Sequence, residues 1–162
     1  MGARAYDPHV PPTKQELGRK GERAVCEHVS CPRCGRERQF RALPPNFECV
    51  DVICKFCGFL AQVKATSRSS VDGPPPTVLG GAWRPQHERV IAGIFHPVYV
   101  VSYDGTRLTR IDYIPAHMLS AYPSVFKPRA KLSDTAKRAG WQGFVYDLRE
   151  LPAIGIQQVY PT

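Results

Sequence analysis

The sequence predicts an α/β (α+β) domain with a central mixed sheet flanked by helices, and three observations carry that prediction. A capped helical segment opens the chain, a cysteine-bearing β-rich hairpin follows, and helix and strand signals then alternate to the end. That order packs helices against a sheet. The length of 162 residues, 43% hydrophobic and 22% charged, suits one globular domain able to bury a sizeable core. No apolar run approaches the roughly 18 residues of a membrane span, and no signal-peptide hydrophobic region stands at the N-terminus. The expectation is a cytoplasmic protein without a membrane partner.

Taken in order, residues 1–12, with Pro8, Pro11 and Pro12, read as a flexible arm, and residues 13–162 as the single domain. Thr13 and Glu16 stand three apart, as a capping box requires. Leu17, Ala24, Val25 and His28 can then share one face of a helix running to about Val29. Gly18 and Gly21 weaken that helix by about 1 kcal/mol each relative to alanine, which points to a close backbone approach on their side. Two β-rich runs, Val50 to Ile53 and Phe59 to Lys64, flank a turn and predict a hairpin. Residues 66–81, rich in Ser, Gly and Pro, read as a flexible loop. Ala82 to Ile94 is a helix candidate. Val98 to Tyr103 is a buried strand closed by the Asp104-Gly105 turn, and Leu108 to Ile114 is its partner. A short helix near Pro115 to Leu119, a helix from Ser133 to Ala139 stopped by Gly140, and a strand at Phe144 to Leu148 complete the reading.

Two constellations carry chemistry. Cys31-x-x-Cys34 and Cys54-x-x-Cys57, with nineteen residues intervening, can wrap four thiolates around one tetrahedral Zn²⁺. Four cysteines leave the metal no open position, so the zinc is expected to be structural. Cys26 and Cys49 read as small buried hydrophobes. The second constellation lies on the hairpin. With the turn centred near Phe56 and Cys57, Asp51 falls opposite Gln62, and Lys64, two residues further, projects on the same side as Gln62. A carboxylate, a second oxygen ligand and an ammonium so grouped suit phosphodiester hydrolysis assisted by Mg²⁺ or Mn²⁺. Taken alone, the same three residues also fit the wet face of a two-stranded ribbon.

Twenty-two Lys and Arg against fourteen Asp and Glu give a net charge of +8, which favours a polyanionic partner, nucleic acid first. Arg129, Lys131, Lys137 and Arg138 are candidate DNA contacts. Trp141 beside them is a further candidate contact, and reads more readily as core filler under the last helix, while the five histidines match no ligand spacing.

The order Asp51, Cys54-x-x-Cys57, Gln62-Val63-Lys64 resembles the active-site hairpin of PD-(D/E)xK nucleases. With Cys31-Pro-Arg-Cys34 upstream, it is similar more narrowly to the catalytic domain of the DpnI-type, or Dam-replacing, restriction endonucleases. The stretch from Pro128 to Gly143, with Thr135-Ala136-Lys137-Arg138-Ala139-Gly140-Trp141, is similar to that family's own segment, so that the resemblance spans roughly Leu17 to Leu151. It implies a restriction endonuclease-like fold with an inserted four-cysteine zinc element and Mg²⁺-dependent cleavage of double-stranded DNA. In the best-known member it implies a preference for N6-methyladenine sites. By matched position, Asp51 would be the principal metal carboxylate, Gln62 the second metal-site residue and Lys64 the catalytic lysine. Gly18-x-x-Gly21-Glu22 resembles the N-terminal helix of Mrr-like and junction-resolving nucleases, which makes Glu22 a further candidate beside the metal.

Two departures stand out: Gln62 replaces the glutamate of DpnI-type enzymes, though Mrr-like nucleases use glutamine there, and the winged-helix domain that follows the nuclease in the DpnI-type enzyme is not expected here. A two-fold homodimer is common among restriction enzymes, and no residue here argues for it. The competing readings are a noncatalytic zinc-containing DNA-binding module of a repair or defence system and an interaction scaffold with no affinity for nucleic acid.

Overall fold

The computed structural model describes residues 11–162. The expected N-terminal arm lies, for residues 1–10, outside the described residues. Helix α1 spans Lys14–His28 and starts as the sequence requires: the Glu16 N–H donates to the Thr13 hydroxyl, and the Thr13 N–H donates to the Glu16 carboxylate at 2.7 Å. Those bonds hold the Glu16 carboxyl below its ordinary range. Gly21, Ala24 and Val25 form the buried face, and Val29 caps the C-terminus in extended conformation. His28, expected on that face, is exposed, with its ring 4.9 Å from that of Tyr160.

After α1 come β1 (Phe40–Ala42), β2 (Val52–Cys54), β3 (Leu60–Ser67), β4 (Thr77–Ala82), α2 (Trp83–Ile91), β5 (Val98–Asp104), β6 (Arg107–Ile114), α3 (Ala116–Ala121), β7 (Phe126–Pro128), β8 (Gly143–Asp147) and β9 (Gln157–Tyr160). Six strands form one mixed sheet in the order β1-β2-β3-β5-β6-β9, in which β3 and β5 run parallel and the other pairs antiparallel. β4, β8 and β7 form a second, antiparallel sheet. β5 explains the layering: Tyr99, Val101 and Tyr103 face the core under α1, while Val98 and Val100 face a second core shared with Phe126, Phe144 and Tyr146 of the small sheet. Alternate side chains are thus buried on both sides, which is why this strand reads as a continuous apolar run.

Three expectations need correction. The stretch read as loop 66–81 contains the end of β3 and most of β4. Its Gly80 resembles loop composition but is needed where it is, because an added Cβ would strike the ring of Phe144. The helix expected at Ser133 to Ala139 is a series of turns, closed by Leu132 N–H donating to the Trp141 carbonyl at 2.8 Å and by Gly140 at φ +72°. Nearly every side chain in it is exposed, so no apolar stripe exists for tertiary packing to hold as a helix. Trp141 accordingly fills no core beneath a helix: it is half-buried, covers Gly143, and carries the Arg138 guanidinium 4.4 Å above its ring. The strands β1, β7 and β9, at three or four residues each, were too short to announce themselves.

Candidate active site

The β2–β3 hairpin joins the two constellations, with Asp51 just before β2, Gln62 and Lys64 on β3, and two of the four cysteines at its turn. Its turn is the second cysteine pair: Cys54 ends β2, the Gly58 N–H donates to the Cys54 carbonyl at 2.8 Å, and Gly58 takes φ +74°, the left-handed conformation that glycine adopts without strain. The first pair has the same build, with the Gly35 N–H donating to the Cys31 carbonyl at 2.8 Å and Gly35 at φ +71°. The four sulfurs lie within 4.8 Å of one another, with Cys31 to Cys57 at 3.5 Å and Cys34 to Cys54 at 3.8 Å. A zinc tetrahedron with Zn–S bonds of about 2.3 Å has edges of about 3.8 Å, so these residues fit the ion. The thiols split: burial pushes Cys31 up to about 12, whereas, against burial, backbone N–H groups of Cys57 and Phe56 and the neighbouring sulfurs bring Cys54 down to about 7. Cys26 and Cys49, expected to be buried, are only half-buried.

Beyond the turn, Val52 pairs with Ala61 and Ile53 with Leu60, and the Asp51 N–H donates to the Ala61 carbonyl at 2.9 Å. The register therefore sets Asp51 against Gln62. One carboxylate oxygen of Asp51 accepts the Val63 N–H at 2.7 Å, which orients the other. Asp51, Gln62 and Lys64 line one open cleft of about 270 Å³. Gln62 is held at both ends: its Nε2 donates to the Cys49 carbonyl at 2.5 Å, and its Oε1 accepts the Tyr146 hydroxyl at 2.7 Å. Glu22, on α1, does not line that cleft but lies close enough for the charges of Asp51 and Lys64 to act on its carboxyl. Burial raises its carboxyl, the Asp51 charge raises it further, and Lys64 and Arg19 oppose.

The other wall belongs to elements the sequence did not connect to the site: Gly81 and Ala82 of β4, Pro85, Gln86 and Arg89 of α2, and Phe144 of β8. Arg89 is mostly buried and lies 4.0 Å from the Glu48 carboxylate at the rim. The only sequence signal for this wall is that Gln86 and Arg89, three apart, share a helix face. Arg129, Lys131, Lys137 and Arg138 do not enter the cleft. All four are exposed on the β7–β8 connection, whose end is fixed beside the cleft where the Trp83 N–H donates to the Gln142 carbonyl at 2.9 Å. No helix among the described residues is long and apolar enough to cross a membrane.

A mixed sheet in which the turn of one hairpin supplies two cysteines to a four-cysteine cluster is the architecture of a restriction endonuclease-like protein. The chain belongs to the DpnI, or Dam-replacing, family, whose model matches residues 13–160. Membership points to a restriction-type nuclease with DNA as its substrate. No curated protein matches the chain.

Proposed function

We propose that the protein is a metal-dependent endodeoxyribonuclease of the restriction type that hydrolyses phosphodiester bonds in double-stranded DNA. The observation that carries this reading is the convergence of Asp51, Gln62 and Lys64 on one cleft, with Glu22 near enough for its carboxyl to feel both Asp51 and Lys64. Asp51, through the oxygen not bonded to Val63, and Gln62, through Oε1, would hold the cation, with the Glu22 carboxyl nearby. When bound there, Mg²⁺ or Mn²⁺ supplies Lewis-acid polarisation of the phosphate and makes a water more acidic. Lys64 orients that water and offsets charge developing on the phosphate. Arg129, Lys131, Lys137 and Arg138 meet phosphates beside the cleft. Zinc on Cys31, Cys34, Cys54 and Cys57 is structural.

The test is cleavage of Dam-methylated and unmethylated plasmid by the wild type and by Lys64→Ala, in Mg²⁺ and then Mn²⁺. Metal-dependent cutting lost in the variant supports the nuclease, and a bias towards the methylated plasmid supports methyladenine direction. A pair of copies is the arrangement that would cut both strands, and sedimentation on duplex DNA reads it. One observation favours a second reading, a noncatalytic DNA-binding module: the amide of Gln62 is neutral and already bonded to protein at both ends. No cutting in either metal, with salt-sensitive binding retained, would select it.

A further inference from the structure

We infer that Tyr146 is a positioning residue that orients the amide of Gln62 for the cation, so that a neutral glutamine is a defined oxygen ligand at this site. The inference rests on the nuclease reading above and adds what makes Gln62 usable.

A glutamine amide has two ends of similar shape and opposite chemistry, and only its oxygen can bind a cation. Left free, it can turn its NH₂ to the metal, a weakness glutamate does not share. Here the ends are assigned by their partners. The Cys49 carbonyl can only accept, so the NH₂ must face it, and the oxygen must face Tyr146. Cys49 sits at φ +75°, a left-handed conformation unusual for a non-glycine residue, in the turn that presents this carbonyl.

Tyr146 is equally fixed. It is 2% exposed, on β8, with the rings of Phe144 and Phe126 at 5.1 and 5.4 Å. A phenol carries a proton to give, and this one donates it to Gln62 Oε1 at 2.7 Å. The bond uses one lone pair of Oε1 and leaves the other for a cation. In Gln62→Glu, by contrast, a carboxylate oxygen would face the Cys49 carbonyl oxygen with no proton between them. The residue that relatives of the DpnI type carry would therefore be the poorer one in this site.

The experiment measures Mn²⁺ binding to the zinc-loaded protein on duplex DNA, from the electron paramagnetic resonance signal of free Mn²⁺. The wild type, Tyr146→Phe and Gln62→Glu are compared, with the Mn²⁺ dependence of cleavage and thermal unfolding followed in parallel. Expected is an affinity loss of about tenfold in Tyr146→Phe, the scale on which partners behind a metal ligand act. Its cleavage should recover at high Mn²⁺ with kcat close to wild type, and Gln62→Glu should bind Mn²⁺ no better than wild type. Wild-type Mn²⁺ affinity in Tyr146→Phe, with only unfolding affected, would reduce Tyr146 to a core residue and overturn the inference. Tighter Mn²⁺ binding by Gln62→Glu would overturn it too, and that variant carries the test if Tyr146→Phe does not fold. A wild type that neither binds Mn²⁺ nor cuts would sink the nuclease reading itself, an outcome distinct from these.

Discussion

A Cβ added to Gly21 of α1 would lie 2.9 Å from the Cβ of Ala65 on β3, with Val63 Cγ1 at 3.4 Å. The helix docks that closely, and the next residue, Glu22, is thereby brought within reach of the Asp51 and Lys64 charges. Gly21→Ala is expected to destabilise: overpacking of about 1–3 kcal/mol outweighs a helix-propensity gain of about 1 kcal/mol. Gly18, with nothing within 4 Å of its added Cβ, should gain about 1 kcal/mol as alanine. Urea midpoints of the two variants moving in opposite directions would establish the close approach.

Lys64→Ala is expected to lower kcat by a hundredfold or more, on the order of a lost proton-transfer or charge-stabilising group. Its affinity for duplex DNA should stay within a factor of about five, since many other basic groups share that electrostatic attraction. Single-turnover cleavage and fluorescence anisotropy separate the two quantities. Equal losses in both would remove Lys64 from the chemistry.

Glu22 supplies a pH signature. Its carboxyl is raised, first by burial and then by Asp51, so the folded protein holds that proton at pH values where the unfolded chain has released it. Ionising it therefore costs stability above its folded pKa, and the cost vanishes as pH falls below the unfolded value near 4.5. Glu22→Gln should melt higher than wild type at pH 8 in zinc-loaded, magnesium-free protein, and the difference should shrink towards pH 4.5. A constant difference across that range would show that Glu22 does not titrate as the packing implies.

The basic β7–β8 connection predicts a salt effect. Replacing Arg129, Lys131, Lys137 and Arg138 together by alanine should flatten the slope of log affinity against log salt by about 3 to 4, since each phosphate a basic side chain neutralises adds about 0.9 to it. Cleavage of saturating DNA should be unaffected. An unchanged slope would show that these four side chains stay in solvent.

The hairpin and its two constellations were legible because each is local. Cysteine spacing is fixed by a single ion, and residues whose numbers are symmetric about a turn must face each other. Neither the partner behind Gln62 nor the far wall of the cleft was legible, because Tyr146 meets Gln62 across 84 positions and Arg89 arrives on a helix of ordinary composition. The Ser133 to Ala139 error has the opposite origin. Its local propensity is helical, but no neighbour offers that segment a surface to bury.

Cys54 and Cys57, half of a four-cysteine cluster that fits zinc, close the hairpin that holds Asp51 and Gln62. A slip of one residue would turn Lys64 and Gln62 to the opposite side of the sheet, because strand side chains alternate. By tethering the turn to Cys31 and Cys34, a zinc ion bound there would act as a clamp on strand register. Under-metallated preparations should then contain two populations, one fully competent and one inert, instead of uniformly sluggish molecules. Cuts per bound zinc would stay constant while cuts per chain rise with zinc content.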